Sequence, residues 1–176
     1  MQKIVTCIGS RELPEDKGLI IDKVAEFLFR NNCKIRSGGA DGTDRRFQRI
    51  YEKLKGSMEI FLPWNGFQKL YVDNKQFFLV NEELCRPYTI KYHPAPDRLS
   101  KWALKLMDRN SSQVLGLNLN EPSDLIIAYT EGGKLKGGTS QALRIAMDAG
   151  IPIVNIGNYE TYEEVEEQIT RILNGI

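Results

Sequence analysis

At 176 residues the chain has room for one domain of ordinary size. Its 41% hydrophobic and 27% charged residues, with 15 Gly and 7 Pro, place it among soluble globular domains and exclude the disordered and collagen-like classes. Lys and Arg number 24 against 23 Asp and Glu, a net charge of +1, which excludes polyanion binding through the field of the whole molecule and leaves only local patches.

The first 63 residues alternate strand and helix. Residues 3–8 are a β-branched run that stops at Gly9. Residues 19–30 place Ile20, Ile21, Val24, Phe27 and Leu28 near a 3.6 period, one face of a helix lying on a sheet. Residues 33–36 form a short strand ending at Ser37-Gly38-Gly39, and a helix over 40–55 turns Phe47, Ile50, Tyr51 and Leu54 inward. Residues 57–62 are the third strand, closed by Pro63.

The segment 64–124 does not alternate and carries Trp64, Phe67, Tyr71, Phe77, Phe78, Tyr88, Tyr92 and Trp102. It reads as an insert or cap with helices over 73–84 and 98–110, the second striped by Leu99, Trp102, Ala103 and Leu106. Packing on the sheet edge or on a second copy is the ordinary use of such aromatics, so at least a dimer is expected. Alternation resumes with a strand at 125–129, a helix at 139–149, a strand at 152–156 and an acidic helix at 161–173. The expectation is an α/β, Rossmann-like, doubly wound parallel sheet of about five strands, as one domain with helices on both faces.

Each polar or glycine cluster follows a predicted strand, on the edge where such folds gather ligands. The first is Gly9-Ser10-Arg11-Glu12, where the glycine permits close approach, the serine can bond an anion and the arginine can grip a phosphate. The second is Ser37-Gly38-Gly39-Ala40-Asp41-Gly42-Thr43-Asp44, running into a helix whose unpaired amides form an anion site. Alternatively Asp41 or Asp44 caps that helix and the glycines serve close packing. The third runs from Thr130 through Gly137-Gly138-Thr139-Ser140 and contains Lys134 and Lys136; it is neither a P-loop nor a dinucleotide fingerprint. Asn155, ending the fifth strand at the same edge, is a further candidate for base or ribose contact.

Charge is uneven locally. Residues 36–55 hold six basic and three acidic side chains and 86–109 six and two, a rim for a phosphorylated ligand or a solvated face. The single histidine, His93, excludes a multi-histidine metal site and a His-based triad, so no metal and no cofactor is assigned. Cys7, Cys33 and Cys85 are odd in number and set among apolar neighbours, which fits reduced, buried thiols. No apolar run approaches the roughly 20 residues that cross a bilayer, and residues 1–6 differ from a signal peptide. A cytoplasmic protein without a membrane partner is expected.

Four segments carry a family resemblance: Ile-Gly-Ser-Arg-Glu at 8–12, Ser-Gly-Gly-Ala-Asp-Gly-Thr-Asp at 37–44, Arg-Asn-Ser-Ser-Gln-Val-Leu-Gly at 109–116, and Gly-Gly-Thr-Ser-Gln-Ala-Leu-Arg-Ile-Ala at 137–146. The chain resembles the SLOG superfamily, a Rossmann-like group that includes DNA-processing protein A and the "lonely guy" phosphoribohydrolases, and within it the small DNA-processing-A-like proteins of phages and bacteria. The resemblance implies a nucleotide-binding fold whose glycine motifs hold phosphate and ribose. It also implies that Arg109, Asn110 and Gln113 face the pocket from the insert, although spacing alone leaves Arg109 at a solvated helix end. Where the phosphoribohydrolases carry a glutamate, this chain has Gln141, which cannot exchange a proton.

The expected function is therefore binding of a nucleotide or nucleotide-derived ligand. One alternative is N-glycosidic cleavage with Glu12, Asp41 or Asp44 polarising water. The other is single-stranded DNA binding through the basic helices and the aromatic insert.

Overall fold

The computed structural model describes residues 1–175. Six strands form one fully parallel sheet: β1 (Ile4–Gly9), β2 (Lys34–Ser37), β3 (Met58–Leu62), β4 (Phe77–Leu79), β5 (Leu125–Tyr129) and β6 (Ile153–Asn155). Their order is β4-β3-β2-β1-β5-β6. Register runs Val5 against Leu125 and Gly9 against Tyr129 on one side of β1, and Ile4 against Lys34 on the other. Strand order reverses between β1 and β5, so the crevice at their carboxyl ends is the topological switch point.

Helices α1 (Glu15–Arg30), α2 (Thr43–Leu54) and α6 (Tyr162–Leu173) cover one face, and α3 (Glu82–Tyr92), α4 (Lys101–Leu115) and α5 (Thr139–Asp148) the other. The pleat divides β1 between the two cores: Val5 and Cys7 join Ile21, Val24, Phe47 and Tyr51, while Ile8 joins Val114, Ala142 and Ile145. Every residue of β5 is buried, as a central parallel strand requires. Thr6, in the middle of β1, is the exception in type. Its hydroxyl donates to the Gln113 carbonyl at 2.5 Å and lies 2.7 Å from Ser123 Oγ, pinning α4 to the sheet.

The sheet has six strands rather than about five, and the extra strand lies where a helix over 73–84 is expected from sequence. Asp73 Oδ1 accepts from the amides of Lys75, Gln76 and Phe77, each at 2.9 Å, which turns the chain and launches Phe77–Leu79 alongside β3. Asn81 then caps α3 through Leu84 N at 3.1 Å. The strong β preference of two adjacent Phe, with the Asp73 turn before them and the cap after them, wins over helical periodicity.

The segment 64–124 is thus woven into the fold: β4 extends the sheet, and α4 packs on β2, β3, α3 and α5. Phe67 is in the core, whereas Tyr71 and Trp102 stay exposed. The three cysteines are free and buried, and burial pushes the Cys33 thiol up to about 11. Among the described residues no helix is long and apolar enough to cross a membrane.

Candidate functional site

Strand β1 ends at Gly9, and three turns meet there. A Cβ on Gly9 would lie 2.5 Å from the Tyr129 carbonyl oxygen and 2.8 Å from the Thr43 side chain, so no other residue fits. Ser10 N donates to Tyr129 O at 2.9 Å, and Ser10 O accepts from Thr43 N at 3.1 Å and Thr43 Oγ1 at 2.8 Å. Gly42, with φ of 82°, passes beneath the same turn; its Cβ would stand 2.2 Å from Arg11 O. The turns after β1, β2 and β5 are therefore hydrogen-bonded into one edge, and Ser10, Ala40 and Thr139 line one cleft of about 450 Å³.

The floor of the cleft is built from buried ionisable groups. Asp44, 3% exposed in the first turn of α2, accepts from Gly9 N at 3.3 Å and Ala40 N at 3.4 Å. Burial pushes its carboxyl up to about 6, against the opposing pull of the Arg109 guanidinium and of these amides. The α2 amides that the sequence offers to a phosphate are taken up within the chain, Thr43 N by Ser10 O and Arg45 N by Ala40 O, each at 3.1 Å, while Asp44 holds the amides of Gly9 and Ala40. Asp44 neither caps α2, whose N-cap is Gly42, nor lies in solvent.

Helix α4 supplies the opposite wall through Leu106, Met107, Arg109, Asn110 and Gln113. Arg109 is 6% exposed in mid-helix, because α4 continues to Leu115, past the expected end at residue 110. Its Nη1 donates to Gly38 O at 2.6 Å, its guanidinium lies over the Phe67 ring at 5.4 Å, and its Nε has no partner. Burial lowers its pKa to about 10; Asp44 raises it and the neighbouring Arg11 lowers it. The guanidinium stays charged at neutral pH, so the floor holds one buried cation and one buried carboxyl.

The third turn delivers the N-terminus of α5. No side chain caps it, and among the described residues the amides of Gly138 and Thr139 have no hydrogen-bond partner. Their free N–H groups, with the helix dipole behind them, suit an anion. Lys136 lines the cleft beside them, in an ion pair with Glu131 at 2.7 Å.

Of the residues singled out from sequence, Gly9, Ser10, Arg11, Glu12, Ala40, Asp44, Arg109, Asn110, Gln113, Thr130, Gly137, Gly138 and Thr139 line the cleft. Ser37, Gly38, Gly39, Asp41 and Asn155 lie outside its lining. The Ser37 hydroxyl donates to Cys7 O at 2.6 Å, Gly38 takes up the Arg109 contact, and Asp41 is exposed. Asn155 braces the loop base: its Oδ1 accepts from Thr130 N and Gly157 N, and its Nδ2 donates to Thr130 Oγ1 at 2.7 Å. His93 accepts from Ala95 N at 3.0 Å within its own loop. Gln141 is buried between α4 and α5 and absent from the cleft.

Ile8, Leu106, Met107, Glu131 and Lys136 also line the cleft. Leu106 shares a helical face with Arg109, Asn110 and Gln113 at i+3, i+4 and i+7, the one signal that links it to them. The basic runs divide between solvated side chains, such as Arg49, Lys53, Lys55 and Arg98, and internally paired ones. Arg36 pairs with Glu59 and Glu121, Arg46 with Asp22 and Glu15, and Arg86 with Asp108 and Glu82; of the basic side chains in the two runs only Arg109 lines the cleft, joined there by Arg11 and Lys136.

No family model matches the sequence, and no curated protein sequence matches it. Solved structures do share the fold. DNA processing protein A from Helicobacter pylori superposes with a TM-score of 0.57 at 20% identity, over 88% of this chain and 64% of that one. The Streptococcus pneumoniae protein gives 0.55 at 16%, over 88% and 50%. The molybdenum cofactor carrier protein of Chlamydomonas reinhardtii gives 0.53 at 13%, over 99% and 87%. The chain therefore spans between half and two thirds of the DNA-processing proteins and most of the carrier. The likeness is one of fold, a Rossmann-like parallel sheet.

Proposed function

We propose that the chain binds a nucleotide or nucleotide-derived ligand. The phosphate lies between the Ser10-Arg11 turn and the free amides of α5, and the ribose and base lie along the α4 wall. One observation carries the reading: at the switch point between β1 and β5, unpartnered helix-terminal amides face a cleft floored by the buried Arg109. The carrier protein that shares this fold is itself described by the cofactor it carries. Titration calorimetry with adenine and guanine nucleotides, nicotinamide dinucleotide, ADP-ribose and cyclic nucleotides tests the proposal. Binding that weakens about tenfold or more in Arg109→Met supports it; no binding at millimolar ligand overturns it.

A second reading, single-stranded DNA, has its own observation. Trp102, 55% exposed, stands edge-on to Trp64 at 5.1 Å with Lys101 Nζ 5.4 Å from its ring, a surface on which a base stacks. DNA processing protein A of H. pylori binds single-stranded DNA. A gel shift that weakens steeply with salt and is lost in Trp102→Ala favours this reading over a free nucleotide. The same samples, passed over a light-scattering column, measure the proposed homo-oligomer.

A further inference from the structure

Helix α4 buries six consecutive polar residues, Asp108 to Gln113, between the sheet, α3 and α5, where apolar side chains would pack at less cost. Three amides in and beside this run form a chain with a fixed direction. The Gly138 carbonyl can only accept, so Asn110 turns its Nδ2 to it at 3.0 Å and to Gln141 Oε1 at 2.9 Å. Asn110 Oδ1 then faces Gln113, whose Nε2 donates to it at 3.1 Å. The polarity set at Gly138 leaves one orphan at each end, Gln113 Oε1 and Gln141 Nε2, both buried without partners. A buried polar chain with unsatisfied ends is worse for stability than an apolar contact of the same shape.

What this arrangement secures is the position of Gly138. The peptide follows Gly137, which has φ of 70° and nothing within 4 Å of its Cβ position, and α5 has no side-chain cap. A trans peptide directs its N–H opposite to its C=O. Holding the Gly138 oxygen on α4 therefore holds the Thr139 N–H pointing away from α4, at the start of α5. A second observation points to an occupant of the same cleft: Arg109, more than nine-tenths buried, lines it with Nε unpartnered.

We infer that Asn110, held between Gln113 and Gln141, is a positioning residue that fixes the anion-binding amide of Thr139. Gln141 serves as its acceptor, and a neutral amide suffices for that role. The inference rests on the function proposed above.

The test sets stability against affinity. In the isosteric apolar variant Asn110→Leu/Gln113→Met/Gln141→Met, the urea midpoint is expected to hold or rise, while affinity for adenosine monophosphate and for sulfate falls about tenfold or more. Gln113→Met alone measures the share due to the changed cleft lining. Unchanged affinity in the triple variant overturns the inference, and so does a fall in midpoint that matches the loss of binding, since the amides are then ordinary structure. If that variant does not fold, Asn110→Asp sets a carboxylate against the Gly138 oxygen. The Thr139 amide resonance then shifts on adding adenosine monophosphate in the wild type and stays fixed in the variant; equal shifts overturn the inference. A wild type that binds neither probe refutes the proposed function itself, and this inference with it, whereas binding indifferent to Asn110 refutes this inference alone.

Discussion

Asp44 is the residue whose removal tests the site most directly. Burial pushes its carboxyl from 3.8 up to about 6, even though it accepts from Gly9 N and Ala40 N and faces Arg109. The folded-state pKa lies above the unfolded one, so between roughly pH 4 and 6 the folded chain binds more protons. The free energy of unfolding contributed by this group is therefore full below the window and is lost as pH rises through it. Two pKa units correspond to about 3 kcal/mol, a large share of the stability of a domain this size. Urea unfolding of wild type and Asp44→Asn from about pH 4 to about pH 7 isolates the effect as a difference, because the depressed surface carboxylates act alike in both. The wild type should lose on the order of 3 kcal/mol relative to the variant across the window. Sulfate, whose charge is constant there, should bind the wild type more tightly at about pH 5 than at about pH 7, and the variant equally at both. Parallel stability curves, or a wild-type sulfate affinity indifferent to pH, would refute the argument that an unfavourably buried carboxylate sits at the anion site.

Arg36 on β2 is fully buried, with Nε on Glu59 Oε1 at 2.9 Å and Nη2 on Glu121 Oε1 at 2.5 Å, so Arg36→Met should cost about 3–5 kcal/mol in urea unfolding. A loss under about 1 kcal/mol would mean that the pair is surface-like. Gly42→Ala combines φ of 82° with a Cβ 2.2 Å from Arg11 O, whereas Gly137→Ala carries φ of 70° and no clash. The first should cost several-fold more than the roughly 1 kcal/mol expected of the second, and equal midpoints would contradict the close approach of the β1 and β2 turns. Gln141→Glu adds an acid to α5, yet the residue is 1% exposed and outside the cleft. Overnight incubation with adenosine monophosphate should release no adenine by chromatography; free base in the variant alone would place residue 141 at the reacting bond.

The legible parts of this fold are those where local signals agree. The strand at 125–129 is bounded as expected, since an apolar run between turn residues has one use in an alternating chain. The meeting of Ser10, Ala40 and Thr139 follows from the same alternation, because parallel strands joined by crossovers deliver every strand end to one edge. Strand β4 was hidden: three residues are too few for a period, and the Asp73 turn that starts it reads as polar loop. The cleft wall on α4 was legible through the family resemblance alone and not through spacing. A run such as Arg-Asn-Ser-Ser-Gln reads as solvated, and only its place over the sheet, with Thr6 bonded to the Gln113 carbonyl, shows it buried. Of the two readings of the basic runs the solvated face describes more of their basic side chains than the rim does, and counting charges could not show that Arg36, Arg46 and Arg86 are spent on carboxylates within the chain.

Neighbouring residues of α4 show why buried polarity points to a site here and only to scaffolding elsewhere. Asp108 is fully buried, and its carboxylate takes two donors from Arg86, with contacts of 2.9 to 3.2 Å, and the Thr89 hydroxyl at 2.6 Å. It is a satisfied group that ties α4 to α3. One residue on, Arg109 keeps an unpartnered Nε, and one turn on, Gln113 keeps an unpartnered Oε1. Both residues line a cleft that also holds a carboxyl burdened by desolvation, and their unpartnered atoms pack beside Gly38. A chain that satisfies Asp108 and Arg36 so completely has the means to satisfy these groups as well. Under the proposed function, unmet hydrogen bonds gathered at the switch point of the sheet are what the site retains for its ligand, and their cost in stability makes that site separable from the fold by mutation.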